Sequence, residues 1–132
     1  MKITADTNVL LRLVLADDEA QSLLAAEAME GAALVAISVH SLCELAWVLS
    51  VRREIPRADI ADTIRSLIET QNVVVNRPAV EAGLAVLDAG GDFADGVIAF
   101  DGKWLGGESF VSFDKKAVKL LEGQGTAARL LA

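Results

Sequence analysis

Apolar residues along this chain form short continuous runs that alternate with longer stretches of helical period. Met1–Ala5 is a brief apolar run ending at Asp6 and reads as a buried first strand. From Thr7 to Ala16, the residues Val9, Leu10, Leu13 and Val14 repeat at helical spacing. A second helix is expected from about Asp18 to Glu30, with Leu23, Leu24, Ala28 and Met29 turned inward. Ala33–Ile37 reads as the second strand, bounded by Gly31 and Ser38, and Val39, Leu42, Leu45, Ala46 and Leu49 mark a third helix. Pro56 suits the first turn of a fourth helix, with Ile60, Ile64, Leu67 and Ile68 on one face. Asn72–Val75 reads as the third strand.

Pro78 opens a helix carrying Val80, Leu84 and Leu87 that stops at Gly90 and Gly91. Phe93–Phe100 is helical by period, Ser109–Phe113 reads as the fourth strand, and Lys115–Leu121 as a last helix. The Gly/Ala-rich tail from Gly123 is either frayed or one more strand. Strands separated by helices predict an α/β fold, with a mostly parallel central sheet of four or five strands flanked by helices. No repeat, linker or low-complexity stretch interrupts the pattern, so residues 1–132 read as a single domain.

A length of 132 residues agrees with one domain. With Cys43 as the only cysteine, no intrachain disulfide forms, which suits a reducing cytoplasmic location. The opening MKITADTNV lacks the basic-then-apolar stretch of a signal peptide. Charges such as Arg12, Glu27, Glu44 and Asp95 interrupt every apolar run before the ~18 residues a membrane span needs. The apolar share of 53% is high, and helices 7–30 and 38–70 offer more inward-type residues than one small core should absorb, so a covering partner and a dimer are expected. Nineteen acids against twelve bases give a net charge of −7, which argues against a nucleic-acid binder built on a basic surface. A carboxylate cluster neutralised by cations escapes that argument.

In open α/β sheets, ligands bind beyond the carboxyl ends of the strands. Asp6 follows the first predicted strand, Glu44 lies one to two turns into the helix after the second, and Asp114 follows the fourth. Asp92 and Asp95, three residues apart, begin the helix between strands three and four and would share a face. Each has a plain structural explanation. Asp6, Asp92 and Asp114 stand where Asp caps helices, Ser41-Leu42-Cys43-Glu44 fits a capping box, and Asp95 suits the helix dipole. Their convergence would be another matter. At an effective dielectric of about 20, two carboxylates 4 Å apart repel by roughly 4 kcal/mol, so a group of them needs protons or a cation. Oxygen-only ligands favour Mg²⁺ or Mn²⁺ over zinc.

The stretches ITADTNVLLRLVLADDE, ISVHSLCELAWVL, GGDFADGVIAF and FVSFDKKAVKLL resemble the four blocks of PIN-domain ribonucleases, and most of all the VapC-type toxins of toxin–antitoxin pairs. The resemblance covers nearly the whole chain in the right order; DTNVLLR after an apolar strand is its most specific part, and DFADxxIA the next. It implies a three-layer PIN-like fold, endonucleolytic RNA cleavage at an acidic metal site, homodimerisation, and inhibition by a cognate antitoxin. By motif match Asp6, Glu44, Asp95 and Asp114 are the four family acids, and Asp92 an auxiliary one. There are departures. Gly96 stands where relatives more often have Ala, which should loosen its helix by up to about 1 kcal/mol. Ser112 replaces the usual Thr, and KKAVKLL lacks the acid-aromatic pair common after the fourth acid.

The chemistry so implied is in-line attack of water on a phosphodiester, with Asp6, Glu44 and Asp95 holding one or two divalent ions and Asp114 orienting a water or helping to hold a second ion. The expected products carry a 5′-phosphate and a 3′-hydroxyl. Thr7, Asn8 and Ser112 are polar neighbours able to position carboxylates or the scissile phosphate, or simply to cap helices. Arg12, Arg52, Arg53, Arg57 and Arg65 are candidate backbone contacts or solvated charges, and His40 is expected to be a hydrogen-bonded first-turn residue. Trp47 and Trp104 are each candidates to stack on bases or to anchor a core or interface, the anchor being the expected role of Trp47, and Cys43 is expected to be a buried, inert thiol.

Other classes lack their signatures. A phosphoaspartyl hydrolase needs Asp where position 8 is Asn, a P-loop needs glycine at Val97 and Ser or Thr at Trp104, and no GxGxxG occurs. The remaining rival is a PIN-like module that binds without cleaving.

Overall fold

The first four apolar runs become strands, each one residue shorter at either end than the run itself: β1 (Lys2–Thr4), β2 (Leu34–Ala36), β3 (Val73–Val74) and β4 (Phe110–Ser112). The flanking residues still extend the hydrogen-bonding, as in Ala5 N–H to Ala36 O at 3.0 Å and Val35 N–H to Asn72 O at 2.8 Å. The computed structural model describes residues 1–131, which divide into two compact units, one spanning Met1–Asn76 and one from Arg77 onward.

The first unit holds β1, α1 (Thr7–Leu15), α2 (Glu19–Glu30), β2, α3 (Val39–Trp47), a π-helical turn (Val48–Arg52), α4 (Arg57–Glu69) and β3. Its sheet is parallel in the order β1-β2-β3, with Ile3 beside Val35 and Val35 beside Val73. Val35 is fully buried at the centre, among a core that includes Leu10, Leu42, Leu45, Leu49, Ile60 and Ile64. The inward face of α2 differs from the expected one. Ala25 and Met29 are buried, while Leu23 and Leu24 are 62% and 66% exposed and Ala28 also faces solvent. Ser22 explains the rotation: its hydroxyl donates to the Arg12 carbonyl at 2.8 Å, which turns the 22–25–29 face toward α1.

The second unit holds α5 (Arg77–Asp88), α6 (Phe93–Trp104), β4, α7 (Lys115–Gly123) and β5 (Ala128–Leu130). The tail is therefore a strand, parallel to β4 with Phe110 opposite Ala128. α5 stops at Gly90, whose φ of 98° is a conformation open to glycine at little cost. α6 then folds back along it in very close contact. A methyl group at Gly96 would run into the Ala82 carbonyl and stand 2.8 Å from the Gly83 Cα, and one at Gly83 would stand 2.6 Å from the Phe93 ring. Gly96 is thus the residue that lets two helix backbones touch, and not merely a weak point in α6.

The architecture is mixed α/β with every strand pairing parallel, as the pattern predicts. The five strands hydrogen-bond as a three-stranded and a two-stranded sheet, where one continuous sheet was expected. Among the described residues, no helix is long and apolar enough to cross a membrane.

Candidate active site

In the first unit, two neighbouring parallel strands deliver the acids. β1 runs through Ala5 into Asp6, which caps α1 by accepting from the Val9 N–H at 3.1 Å. β2 runs through Ile37 into Ser38, which caps α3 by accepting from the Ser41 N–H at 3.2 Å. The capping box proposed for Ser41 and Glu44 is therefore not formed: α3 has already begun, and Glu44 lies in its second turn. There it accepts a hydrogen bond from the Thr7 hydroxyl at 3.0 Å. One contact across 37 residues thus ties the first turn of α1 to the only acid of α3. Asp6, Asn8 and Glu44 are exposed, and Thr7 is half-buried.

In the second unit, Asp92 takes the N-cap position of α6 without a side-chain capping bond, and Asp95 sits in the first turn. Asp114 caps α7, accepting from the Lys116 and Ala117 N–H groups at 3.0 and 3.1 Å. Its own N–H donates to the Ser112 hydroxyl at 2.9 Å, which fixes the bend between β4 and α7. Asp95 is the half-buried member of the three acids; Asp92 and Asp114 face solvent. Burial pushes the Asp95 carboxyl above its ordinary value, and the charges of Asp92 and then Asp114 push it further the same way. Asp95 therefore feels both of its acidic neighbours.

All five acids offer hard oxygen donors, a set suited to Mg²⁺ or Mn²⁺, and a cation near Asp95 would offset the burial and the neighbouring charges that raise its pKa. Among the described residues, no three His, Cys, Asp or Glu side chains stand together as a group able to hold a metal ion. The structure thus joins Thr7, next to Asp6, to Glu44 in the first unit, and in the second it sets Asp92 and Asp114 near enough for their charges to act on Asp95 without gathering the three into one group.

The cations fall into place differently from a loose set of phosphate contacts. Arg12 and Arg53 both bind Asp17, at 3.2 and 2.7 Å, and hold its carboxyl below the ordinary value; Arg12 also bonds Gln21. Arg52 lies over the Trp47 ring, 5.5 Å from its centroid. Trp47 is 52% exposed and so is no core anchor, Trp104 is more exposed still, and Cys43 is half-buried where full burial was expected. His40 is an exposed residue in the first turn of α3. The Arg52–Trp47 pair was missed in the sequence because it depends on a π turn, and no periodicity announces one.

The sequence model of the PIN domain family matches residues 3–121. Members of that family are in general nucleases that use divalent metal ions. No curated protein and no solved structure matches the chain.

Proposed function

We propose, on the premise that this chain belongs to the PIN domain family, that it is a metal-dependent endoribonuclease toxin held in check by a cognate antitoxin. The observation that carries the proposal is the pairing of Thr7 with Glu44, on the two helices that follow adjacent parallel strands, beside Asp6. Strand ends that deliver carboxylates to one edge are where α/β folds place ligands.

In this reading Asp6, Glu44, Asp95 and Asp114, with Asp92 in support, hold Mg²⁺ or Mn²⁺. What such an ion supplies is Lewis acidity toward the attacking water and the phosphate oxygens. The metal assignment rests on the all-oxygen donor set and on the repulsion felt by Asp95, and not on a preformed group of ligands. The chain's own residues do the positioning. The Thr7 hydroxyl fixes one oxygen of Glu44, leaving the other to face solvent or substrate. Two backbone N–H groups hold Asp114 in a single orientation, and Ser112 holds the backbone of Asp114 itself. Asn8 lines the α1–α2 groove beside this edge.

A single PIN domain in a cytoplasmic homodimer completes the proposal. The exposed Leu23 and Leu24, and an apolar groove of about 250 Å³ between α1 and α2 lined by Val9, Leu24 and Ala25, support a protein partner on this side. The binding-only alternative is not favoured, because all four family acids are retained.

RNA cleavage by the purified protein, with Mg²⁺ or Mn²⁺ and then with EDTA, is the test. We expect metal-dependent fragments with a 5′-phosphate and a 3′-hydroxyl, and a loss of at least about a hundred-fold in both Asp6→Asn and Asp95→Asn, given the several kcal/mol such sites supply. Equal cleavage by wild type and Asp6→Asn would defeat the proposal.

A further inference from the structure

We infer that Trp47 and Arg52 form a platform on which a base of the single-stranded RNA substrate stacks, and that they position the strand for the acids and set base preference. The inference rests on the nuclease reading above.

Three observations converge on it. Trp47 is an aromatic residue at the end of an amphipathic helix, yet about half its surface is open to solvent, which a core residue would not be. Its ring carries the Arg52 guanidinium, 5.5 Å from the centroid and within cation–π range. That pairing is a product of the π turn at Val48–Arg52. In a regular α-helix the fifth residue on would lie about 140° round the axis, away from the ring. An i→i+5 turn returns it over the residue where the turn starts, and such turns cluster at functional sites. The neighbouring Arg53 is committed to Asp17, so Arg52 is the cation of this turn that the ring receives.

Location gives the platform its use. Glu44 is three residues before Trp47 on α3, so their Cβ atoms lie about 5–6 Å apart on one helix surface. The side chains of a helix lean toward its N-terminus, which inclines Trp47 toward the turn that carries Glu44. A base on the indole would bring its phosphodiester close to that carboxylate, and the guanidinium would offset the negative phosphate. An indole face with an adjoining Arg is the chemistry of single-strand binding, tolerant of sequence because every base has a π face. The same surface against a second copy of the chain would bury Trp47 without any need for a cation beside it.

The test uses octauridylate in EDTA as a probe that binds without being cut. Because the chain has two tryptophans, Trp104→Phe leaves Trp47 as the sole fluorophore. We expect saturable quenching of that signal by the oligonucleotide. Trp47→Ala and Trp47→Leu should each weaken binding by roughly 5- to 100-fold, while Trp47→Phe, which keeps a ring, stays close to wild type. On the RNA the enzyme cleaves, Trp47→Leu should raise KM and leave kcat nearly unchanged. If wild type cleaves and Trp47→Leu cleaves with the same KM, the platform is refuted and the nuclease reading stands. If sedimentation shows that Trp47→Leu splits a dimer, the surface belongs to a second copy and the platform is again refuted. If wild type neither binds nor cleaves RNA in Mn²⁺, both readings fall together.

Discussion

The two units hold their acids in opposite electrostatic conditions. In the first, Asp6 and Glu44 are exposed and each accepts a hydrogen bond, from the Val9 N–H and the Thr7 hydroxyl. In the second, Asp95 is half-buried and faces the charges of Asp92 and Asp114. Packing creates the contrast. The three-stranded sheet ends in open helix starts, whereas α6 is drawn tightly against α5 by glycines at 83 and 96, which pulls the first turn of α6 out of water. One half meets its carboxylates with hydrogen-bond donors. The other retains a repulsion that a cation or a proton would relieve, so metal binding should be felt most strongly in the second unit.

The most severe disturbance expected is Gly96→Ala. Helix propensity alone predicts a gain of up to about 1 kcal/mol, but the added methyl meets the α5 backbone, and overpacking of this kind typically costs about 1–3 kcal/mol or more. We expect the thermal midpoint to fall by roughly 5–10 °C. A rise would mean that the α5–α6 contact is looser than it looks, and the contrast between the units would lose its cause.

Thr7→Val probes the comfortable half. Loss of the bond to Glu44 should cost about 1 kcal/mol in denaturant unfolding and reduce cleavage about ten-fold, with Thr7→Ser restoring most of both. An unchanged rate in Thr7→Val would remove Glu44 positioning from the mechanism.

Asp95→Asn should act in the other direction on stability. A carboxyl whose folded pKa is raised binds its proton more tightly folded than unfolded, so stability falls as pH rises through the range between the two values, and the penalty is complete above the folded one. The variant should therefore be more stable than wild type at pH 7 and should lose that advantage as the solution is acidified below the ordinary Asp range. Mg²⁺ should stabilise wild type more than the variant. Thermal scans at several pH values, with and without metal, measure both.

Asp17→Asn should give the smallest change. Its pKa is lowered by Arg53 and Arg12, so the stabilisation is present above the ordinary Asp value and is lost as pH falls through the lower, folded one. Because the pairs are solvent-exposed, the effect should shrink further in high salt.

Much of this was legible in the chain. Period and punctuation located every strand, including the tail as one of two options, and the acids at the ends of β1 and β4 stood out as caps or ligands before either role could be chosen. Asp6 and Asp114 do cap helices, so the plain explanation of each holds without excluding the catalytic one. The errors share a cause. Leu23 and Leu24 look like an inward face, but a serine hydroxyl on the neighbouring face found a carbonyl in α1. Gly96 looks like a weak helix residue until the backbone behind it is seen. Trp47 is no core anchor, since half of it faces solvent with Arg52 brought over its ring by a π turn.

Strand and helix periodicity, caps at Asp6 and Asp114, and the inventory of acids are written locally, within three or four residues, and the amino-acid order alone determined them. The partner of Glu44, the displaced proton affinity of Asp95 and the exposure of Trp47 belong to tertiary structure. Each depends on groups far along the chain or on how much water packing excludes, and hydrogen bonding, desolvation and Coulomb repulsion act through space and not along sequence.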